Sequence, residues 1–121
     1  MWALFYIYEE QIMRKNIHID GKDVPFAASA ATVIYYRNTF NADLIRDFNK
    51  LNEQGTEQLS TDVVETFSRL AYTMAKQANS AIPETVEEWL DSFNVFPIQD
   101  IFPEISDLWA KSLGTTVIPK K

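Results

Sequence analysis

The chain has 121 residues, with 17 acidic against 11 basic side chains, a formal net charge of −6 and no cysteine. With 46% hydrophobic residues it can bury the core of one domain, so residues 1–121 are interpreted as a single domain. The lack of cysteine excludes disulfides and thiolate metal sites, and it agrees with a reducing cytoplasm. The negative charge argues against a nucleic-acid partner.

The N-terminal segment, residues 1–12, contains an apolar run from Trp2 to Tyr8. No basic residue precedes this run and two glutamates follow it, which is not the pattern of a signal peptide. Seven apolar residues also fall far short of the about 20 needed to cross a bilayer, so we expect no membrane partner. Residues 1–12 are interpreted as a flexible arm or as an artefact of start-codon choice, with Met13 as the alternative start.

Alternating apolar and polar side chains predict a short β-hairpin over residues 17–27. Asp20 and Gly21 form a favoured two-residue turn, because both positions accept a positive φ angle. Pro25 restricts the second strand to an edge. His18, the only histidine, falls on the exposed side, which is typical of a solvated surface residue, and it is assigned no chemistry.

Residues 29–113 are predicted to form a helical core, which makes the fold class mainly α: a small bundle of four to five helices with a short N-terminal β-hairpin. Ser29 is expected to cap the first helix and Asn41 its continuation, and whether these are one bent helix or two stays open. A third helix, starting at Asp62 with Glu65, carries a broad apolar stripe and is the candidate central helix. The stripe consists of Val63, Val64, Phe67, Leu70, Ala71, Met74, Ala75 and Ala78, and its alanines are expected to let a neighbouring helix approach closely.

The segment IPETVEEWLDSF, residues 82–93, combines a helix start with an acidic face and an aromatic stripe. Thr85 and Glu88 have the spacing of a capping box. The apolar residues recur at helical spacing beside four carboxylates. Two interpretations stay open: an ordinary amphipathic helix docked on the core, or a surface that holds a partner.

A final helix is predicted from residue 98, with a kink or restart at Pro103 and a stop at Gly114. Residues 114–121 are interpreted as a mobile tail.

No catalytic constellation emerges from the sequence. With no cysteine and one histidine, the usual nucleophile and base arrangements lack their parts. Glu87 and Asp91 form a carboxylate pair at i, i+4, but a solvated helix face is the commoner origin of such a pair. We therefore expect no enzyme, cofactor or metal site.

Four segments in order carry a family resemblance: IDGK, YYRNTFNADLIRDF, LAYTMAKQAN and IPETVEEWLDSF. Over residues 17–113 the chain resembles the tail assembly chaperones of long-tailed phages and prophages of Gram-positive bacteria. The resemblance implies a small, acidic, helical protein that does no chemistry. Such a protein binds the tape-measure protein in the host cytoplasm, keeps it soluble, helps recruit the major tail-tube protein and is absent from the mature virion.

The resemblance also implies self-association and a longer, frameshifted form of the same chain, for which the codons of Pro119, Lys120 and Lys121 offer an A-rich slippage site. Contact with a helical partner is expected to use aromatic anchors and an acidic rim. The candidate contact residues are Glu84, Glu87, Glu88, Trp89, Leu90, Asp91, Phe93, Phe102 and Trp109. Two other functions stay open: an acidic regulator that binds a host DNA-binding protein, and a structural head-tail connector subunit.

Overall fold

The structure, a computed structural model, describes residues 13–113, which form an antiparallel β-hairpin followed by five helices. The predicted fold class, mainly α with a short N-terminal hairpin, is confirmed. No helix within these residues has the length and apolar character that crossing a membrane requires. Predictions for residues 1–12, for Gly114 and for the tail lie outside the described residues. In chain order the elements are β1 (Met13–Ile19), β2 (Lys22–Ala28), α1 (Thr32–Phe40), α2 (Leu44–Gln54), α3 (Thr61–Ala78), α4 (Val86–Asp91) and α5 (Ile98–Ser112).

The hairpin turns at the predicted Asp20 and Gly21, whose φ angles are 54° and 78°. Two positive φ angles in succession give the turn a twist that matches the flanking strands. Strand pairing extends back to Met13, opposite Ala28, so the hairpin is longer than predicted. Burial alternates along β1, whereas the last three residues of β2 are all buried, and the buried side chains of the hairpin supply one layer of the core.

The first two helices are separate, and the prediction that Asn41 caps the second one is wrong. Asn41 instead ends α1 in the left-handed conformation, with a φ angle of 53°. Asp43 caps α2, because its Oδ1 accepts hydrogen bonds from the backbone N–H groups of Ile45 and Arg46 at 3.0 and 3.2 Å. Asparagine tolerates the left-handed region better than most residues, which explains why it ends a helix here rather than starting one.

Two other predicted helix starts are displaced by two residues. The N-cap of α1 is Ala31 rather than Ser29, although the Ser29 Oγ accepts a hydrogen bond from the Ala31 N–H at 3.2 Å. The N-cap of α3 is Ser60, whose Oγ accepts from the Val63 N–H at 3.2 Å, and Asp62 falls in the first turn. Ser60, Thr61 and Asp62 are three successive residues that favour this position, so the local sequence does not choose among them.

Helix α3 is the central element, as predicted, and it contributes more buried residues than any other described helix. Its main neighbour is strand β2 rather than the helix expected from its alanines. Ala71 and Ala75 are buried. The hairpin and four helices all pack on α3.

Helix α5 runs through Pro103 without the restart that was one of the two predicted outcomes there. A proline inside a helix costs about 3 kcal/mol. Burying one isoleucine or leucine side chain contributes about 1.5–3 kcal/mol, and α5 buries four of them on both sides of the proline. The buried stripe consists of Ile98, Ile101, Ile105 and Leu108.

Candidate partner-binding groove

Helix α4 carries most of the predicted contact residues, and its cap and its tryptophan fix its position. The Thr85 Oγ1 accepts a hydrogen bond from the Glu88 N–H at 3.1 Å, which is the threonine half of the predicted capping box. Trp89 points into the core, with its ring 5.8 Å from Tyr72 and 6.3 Å from Phe26, both between centroids and edge-to-face. One side of α4 is therefore docked, and the other faces solvent.

The structure corrects two of the predicted anchors, Trp89 and Trp109. Their side chains are only 2% and 4% exposed, so neither indole offers a free face to a partner. An indole buries so much apolar area that it packs into the chain's own core whenever the helix position allows. Both tryptophans hold their helices in place rather than binding a second molecule.

The other predicted residues divide into two groups. The four carboxylates Glu84, Glu87, Glu88 and Asp91 are exposed. Leu90, Phe93 and Phe102 are half-buried, but only Leu90 lines the groove described below. Phe93 packs on Trp89 and Phe96 beneath the ammonium group of Lys22, and Phe102 packs on Phe48 and Phe67.

A groove of about 730 Å³ runs along α3 and is closed on one side by α4 and on the other by the end of α1. We call it the α3–α4 groove. It combines part of the predicted acidic segment with residues of α1 and α3 that the sequence analysis did not select. Its lining residues are Thr39, Phe40, Leu59, Ser60, Thr61, Val64, Glu65, Ser68, Arg69, Tyr72, Glu84, Thr85, Val86, Glu87 and Leu90.

The floor of the α3–α4 groove is apolar and partly open to solvent. Leu59 is 52% and Val64 is 36% exposed, while Phe40, Val86 and Leu90 are half-buried. The spacing of apolar residues predicted that Val64 belongs to the apolar stripe of α3. One signal argued against that assignment: Val63 and Val64 are adjacent, and adjacent residues of a helix point about 100° apart. Val63 is buried and Val64 lies in the groove.

The rim of the α3–α4 groove is negatively charged. Glu65, Glu84 and Glu87 contribute three carboxylates against one guanidinium, that of Arg69. The Arg69 Nη2 lies 3.0 Å from the Glu65 Oε2, and the guanidinium carbon lies 5.4 Å from the centroid of the Phe40 ring. The Arg69 guanidinium is thus already paired with Glu65, and it covers an aromatic wall formed by Phe40.

Two side chains of α3 pin the linker that leads into α4. The Tyr72 hydroxyl donates to the Pro83 carbonyl oxygen at 2.6 Å. The Lys76 ammonium donates to the carbonyl oxygens of Ser80 and Ile82 at 3.2 and 3.0 Å, and it pairs with Glu84 at 3.3 Å. We call these contacts the linker clasp. Because the linker determines where α4 starts, the clasp fixes the width of the groove.

Burial is the main factor that raises the pKa of Tyr72, and the nearby carboxylates of Glu84 and Glu88 raise it further. The phenol therefore stays protonated well into the alkaline range and keeps donating to the Pro83 carbonyl oxygen.

The groove is lined by apolar side chains, hydroxyl groups, carboxylates and one guanidinium. Within residues 13–113, no three histidine, cysteine, aspartate or glutamate side chains are grouped as a metal site would require. His18 lies on the exposed hairpin surface, with its Nδ1 3.1 Å from the Asp23 Oδ1. Apolar contact area flanked by carboxylates is typical of a surface that recognises another protein.

Comparisons of this chain with protein-family models, with curated proteins and with solved structures give no significant match.

Proposed function

We propose that this protein is a non-enzymatic tail assembly chaperone of a phage or prophage. It binds the tape-measure protein in the bacterial cytoplasm, keeps it soluble and helps recruit tail-tube subunits around it. The observation that carries the proposal is the α3–α4 groove, an open apolar floor beside an acidic helix. The resemblance in the order of four sequence segments supports the identity of the client.

A long helical client with exposed apolar surface requires two things from the protein that holds it. The holder must cover apolar area, and its own charge must keep the complex in solution. Leu59 and Val64 supply exposed apolar surface at the groove, and a net charge of −6 supplies repulsion between complexes.

The groove also fits a client that must later be released. Each of the five partly exposed side chains of the floor contributes about 1 kcal/mol when covered, so a single groove contact has an affinity on the order of 0.1–1 mM. Several copies that bind along one tape-measure protein, and that also contact one another, would hold it more tightly than one copy does, because each bound copy raises the effective concentration of the next. Tail-tube subunits that assemble around the same tape-measure protein can then displace the chaperone one copy at a time.

The test is co-expression with the long helical protein encoded beside this chain, followed by size-exclusion chromatography. We expect a soluble complex with the wild type and an insoluble client in its absence. The double variant Leu59→Ser/Val64→Ser should lose the complex, whereas Ile45→Ser, which alters an equally exposed residue outside the groove, should keep it. A client that stays insoluble with the wild type contradicts the proposal.

One observation favours a second function. Glu84, Glu87, Glu88 and Asp91 place four exposed carboxylates on and beside one short helix, a pattern that also suits a regulator occupying the phosphate-binding surface of a DNA-binding protein. Binding to such a partner would weaken steeply with salt, whereas binding through the apolar floor would weaken only modestly. A structural connector subunit, in contrast, would be found in purified particles.

A further inference from the structure

We infer that the occupant of the α3–α4 groove is an amphipathic helix of about three turns, with apolar side chains facing Leu59 and Val64 and lysine or arginine along the edge that faces α4. This inference deepens the proposed function, because it names the chemistry of the client segment that this groove takes. It rests on the shape, the exposed apolar residues and the charge of the groove.

The elements that line the groove favour a helical occupant. The lining residues lie on helices or on the segments that lead into them, and none lies on β1 or β2. An extended peptide binds mainly by adding to a sheet edge, which this groove lacks. Along α3 the lining extends from Thr61 to Tyr72, a distance of about 17 Å at 1.5 Å per residue. A helix of about 12 residues spans the same length.

The face of α3 that lines the groove exposes apolar surface mainly at Val64. Val64, Ser68 and Tyr72 lie four residues apart and therefore share one face of α3. The small side chain of Ser68 lies between two large ones, is 2% exposed, and its Oγ has no hydrogen-bond partner among the described residues. Ser68 and Tyr72 are thus covered by the chain itself, and a leucine, methionine or phenylalanine of the partner would pack on Val64, which is 36% exposed.

The rim determines the charge of the partner. Glu65, Glu84 and Glu87 line the groove, and Arg69 is already paired with Glu65. Glu87 makes no ion pair within the described residues. Glu84 is already paired with Lys76 of the linker clasp. An acidic helix would bring its carboxylates against the unpaired Glu87, whereas a lysine or arginine of a basic helix pairs with it.

The experiment uses the full chain and three synthetic 14-residue peptides. The first places leucines on one helical stripe with lysines at its edges, the second replaces the lysines by glutamates, and the third scrambles the first so that the stripe is lost. Affinities are measured by titration at 50 and 300 mM salt, and the contact is located by backbone amide chemical shifts. We expect only the first peptide to bind with shifts confined to α3, α4 and the end of α1.

Two matched pairs of variants separate the contribution of charge to peptide binding from that of apolar contact. Glu87→Lys should weaken the leucine–lysine peptide by roughly five- to tenfold and reduce its salt dependence, while Glu53→Lys, an exposed residue of α2, should leave both unchanged. Val64→Ser should weaken binding at both salt concentrations, while Ile45→Ser should not. Equal binding of the glutamate or the scrambled peptide, or shifts elsewhere on the molecule, would overturn the inference.

Failure of the inference about the groove can be distinguished from failure of the chaperone proposal. If wild type keeps its client soluble while the peptides fail to bind the groove, the chaperone proposal stands and the inference about the groove falls. If the peptides bind as expected but no client is held, the groove takes basic helices of some other protein.

Discussion

The two sides of helix α3 differ in how they are covered. On the core side Phe67, Leu70 and Met74 are fully buried, with β2 and α5 among the elements packed on α3. On the groove side Val64 is 36% exposed, and the cover is incomplete. The same helix is therefore structural on one side and available for binding on the other. Apolar residues of a helix that the packed elements leave exposed indicate a contact surface.

The lengths of the helices explain the incomplete cover. Helix α3 has 18 residues and α4 has six, so they span about 27 Å and about 9 Å at 1.5 Å per residue. The end of α1 covers a further part through Phe40. On this face Ser68 and Tyr72 are buried, whereas Val64 and Glu65 near the start of α3 stay exposed and line the groove. Substitutions on the two sides should accordingly separate stability from binding.

The largest effect is expected from Trp89→Ala on the core side. The indole packs edge-to-face on Phe26, Tyr72, Phe93 and Phe96, and its loss leaves a cavity that costs about 3–5 kcal/mol of unfolding free energy. Urea denaturation followed by circular dichroism measures this. Any loss of binding in this variant would follow from the loss of folded α4, and an unchanged unfolding midpoint would mean that Trp89 is not a core residue.

The next largest effect concerns Tyr36, which is buried one helical turn before Phe40 of the groove. Its hydroxyl donates to the Asp47 Oδ2 at 2.7 Å, and Tyr36→Phe should cost about 1–2 kcal/mol. Burial first, and then the hydrogen bond and charge of Asp47, raise the pKa of Tyr36 far above its usual range.

The raised pKa gives the stability a defined pH dependence. The unfolded chain loses the phenolic proton near pH 10, while the folded chain keeps it, so the contribution of Tyr36 is complete below about pH 10 and falls as the pH rises further. Unfolding free energies measured from pH 9 to 11 should therefore fall less steeply for Tyr36→Phe than for the wild type. If the unfolding free energies of the two proteins fall equally steeply with pH, the phenol of Tyr36 is not buried as described.

A smaller, local effect is expected at the linker clasp. Lys76→Met keeps the aliphatic part of the side chain and removes its bonds to two carbonyl oxygens and to Glu84. We expect a loss of about 1 kcal/mol, with faster hydrogen exchange in α4 and unchanged exchange in the hairpin. Lys50→Met, an exposed residue of α2, is the control. Equal exchange in the two variants would mean that the clasp does not hold α4.

The smallest effect on stability is expected in the groove itself. Val64→Ala removes two methyl groups that already contact solvent, so the unfolding free energy should change by no more than about 0.5 kcal/mol. The same substitution at the neighbouring buried residue, Val63→Ala, should cost about 1–2 kcal/mol. If the two variants unfold at the same denaturant concentration, the two sides of α3 do not differ as described.

Local signals in the sequence were sufficient for the hairpin turn, the central helix and the start of α4. Asp20 and Gly21 form the turn, and Thr85 caps α4, because each feature depends on residues close in the chain. The predicted helix start was wrong where several capping residues follow one another, as at Ser60, Thr61 and Asp62. There, packing decides among positions that the local sequence treats as equal.

The groove itself was only half predictable. The exposure of Glu84, Glu87 and Glu88 follows from the pattern of α4, but the exposure of Val64 depends on α4 being too short to cover α3. Trp89 and Trp109 illustrate the opposite error, since helical spacing alone does not tell a buried aromatic stripe from an exposed one. Both facts depend on which elements pack together, and periodicity does not contain that information.

The most direct test of the binding side of α3 is hydrogen exchange of the complex with its helical client, compared with the free protein. We predict that amides of α4 and of residues 59–65 gain protection on binding, while those of β1 and β2 stay as they are. Protection gained on α2 or on the hairpin, with the groove unchanged, would contradict the assignment of the α3–α4 groove as the contact surface.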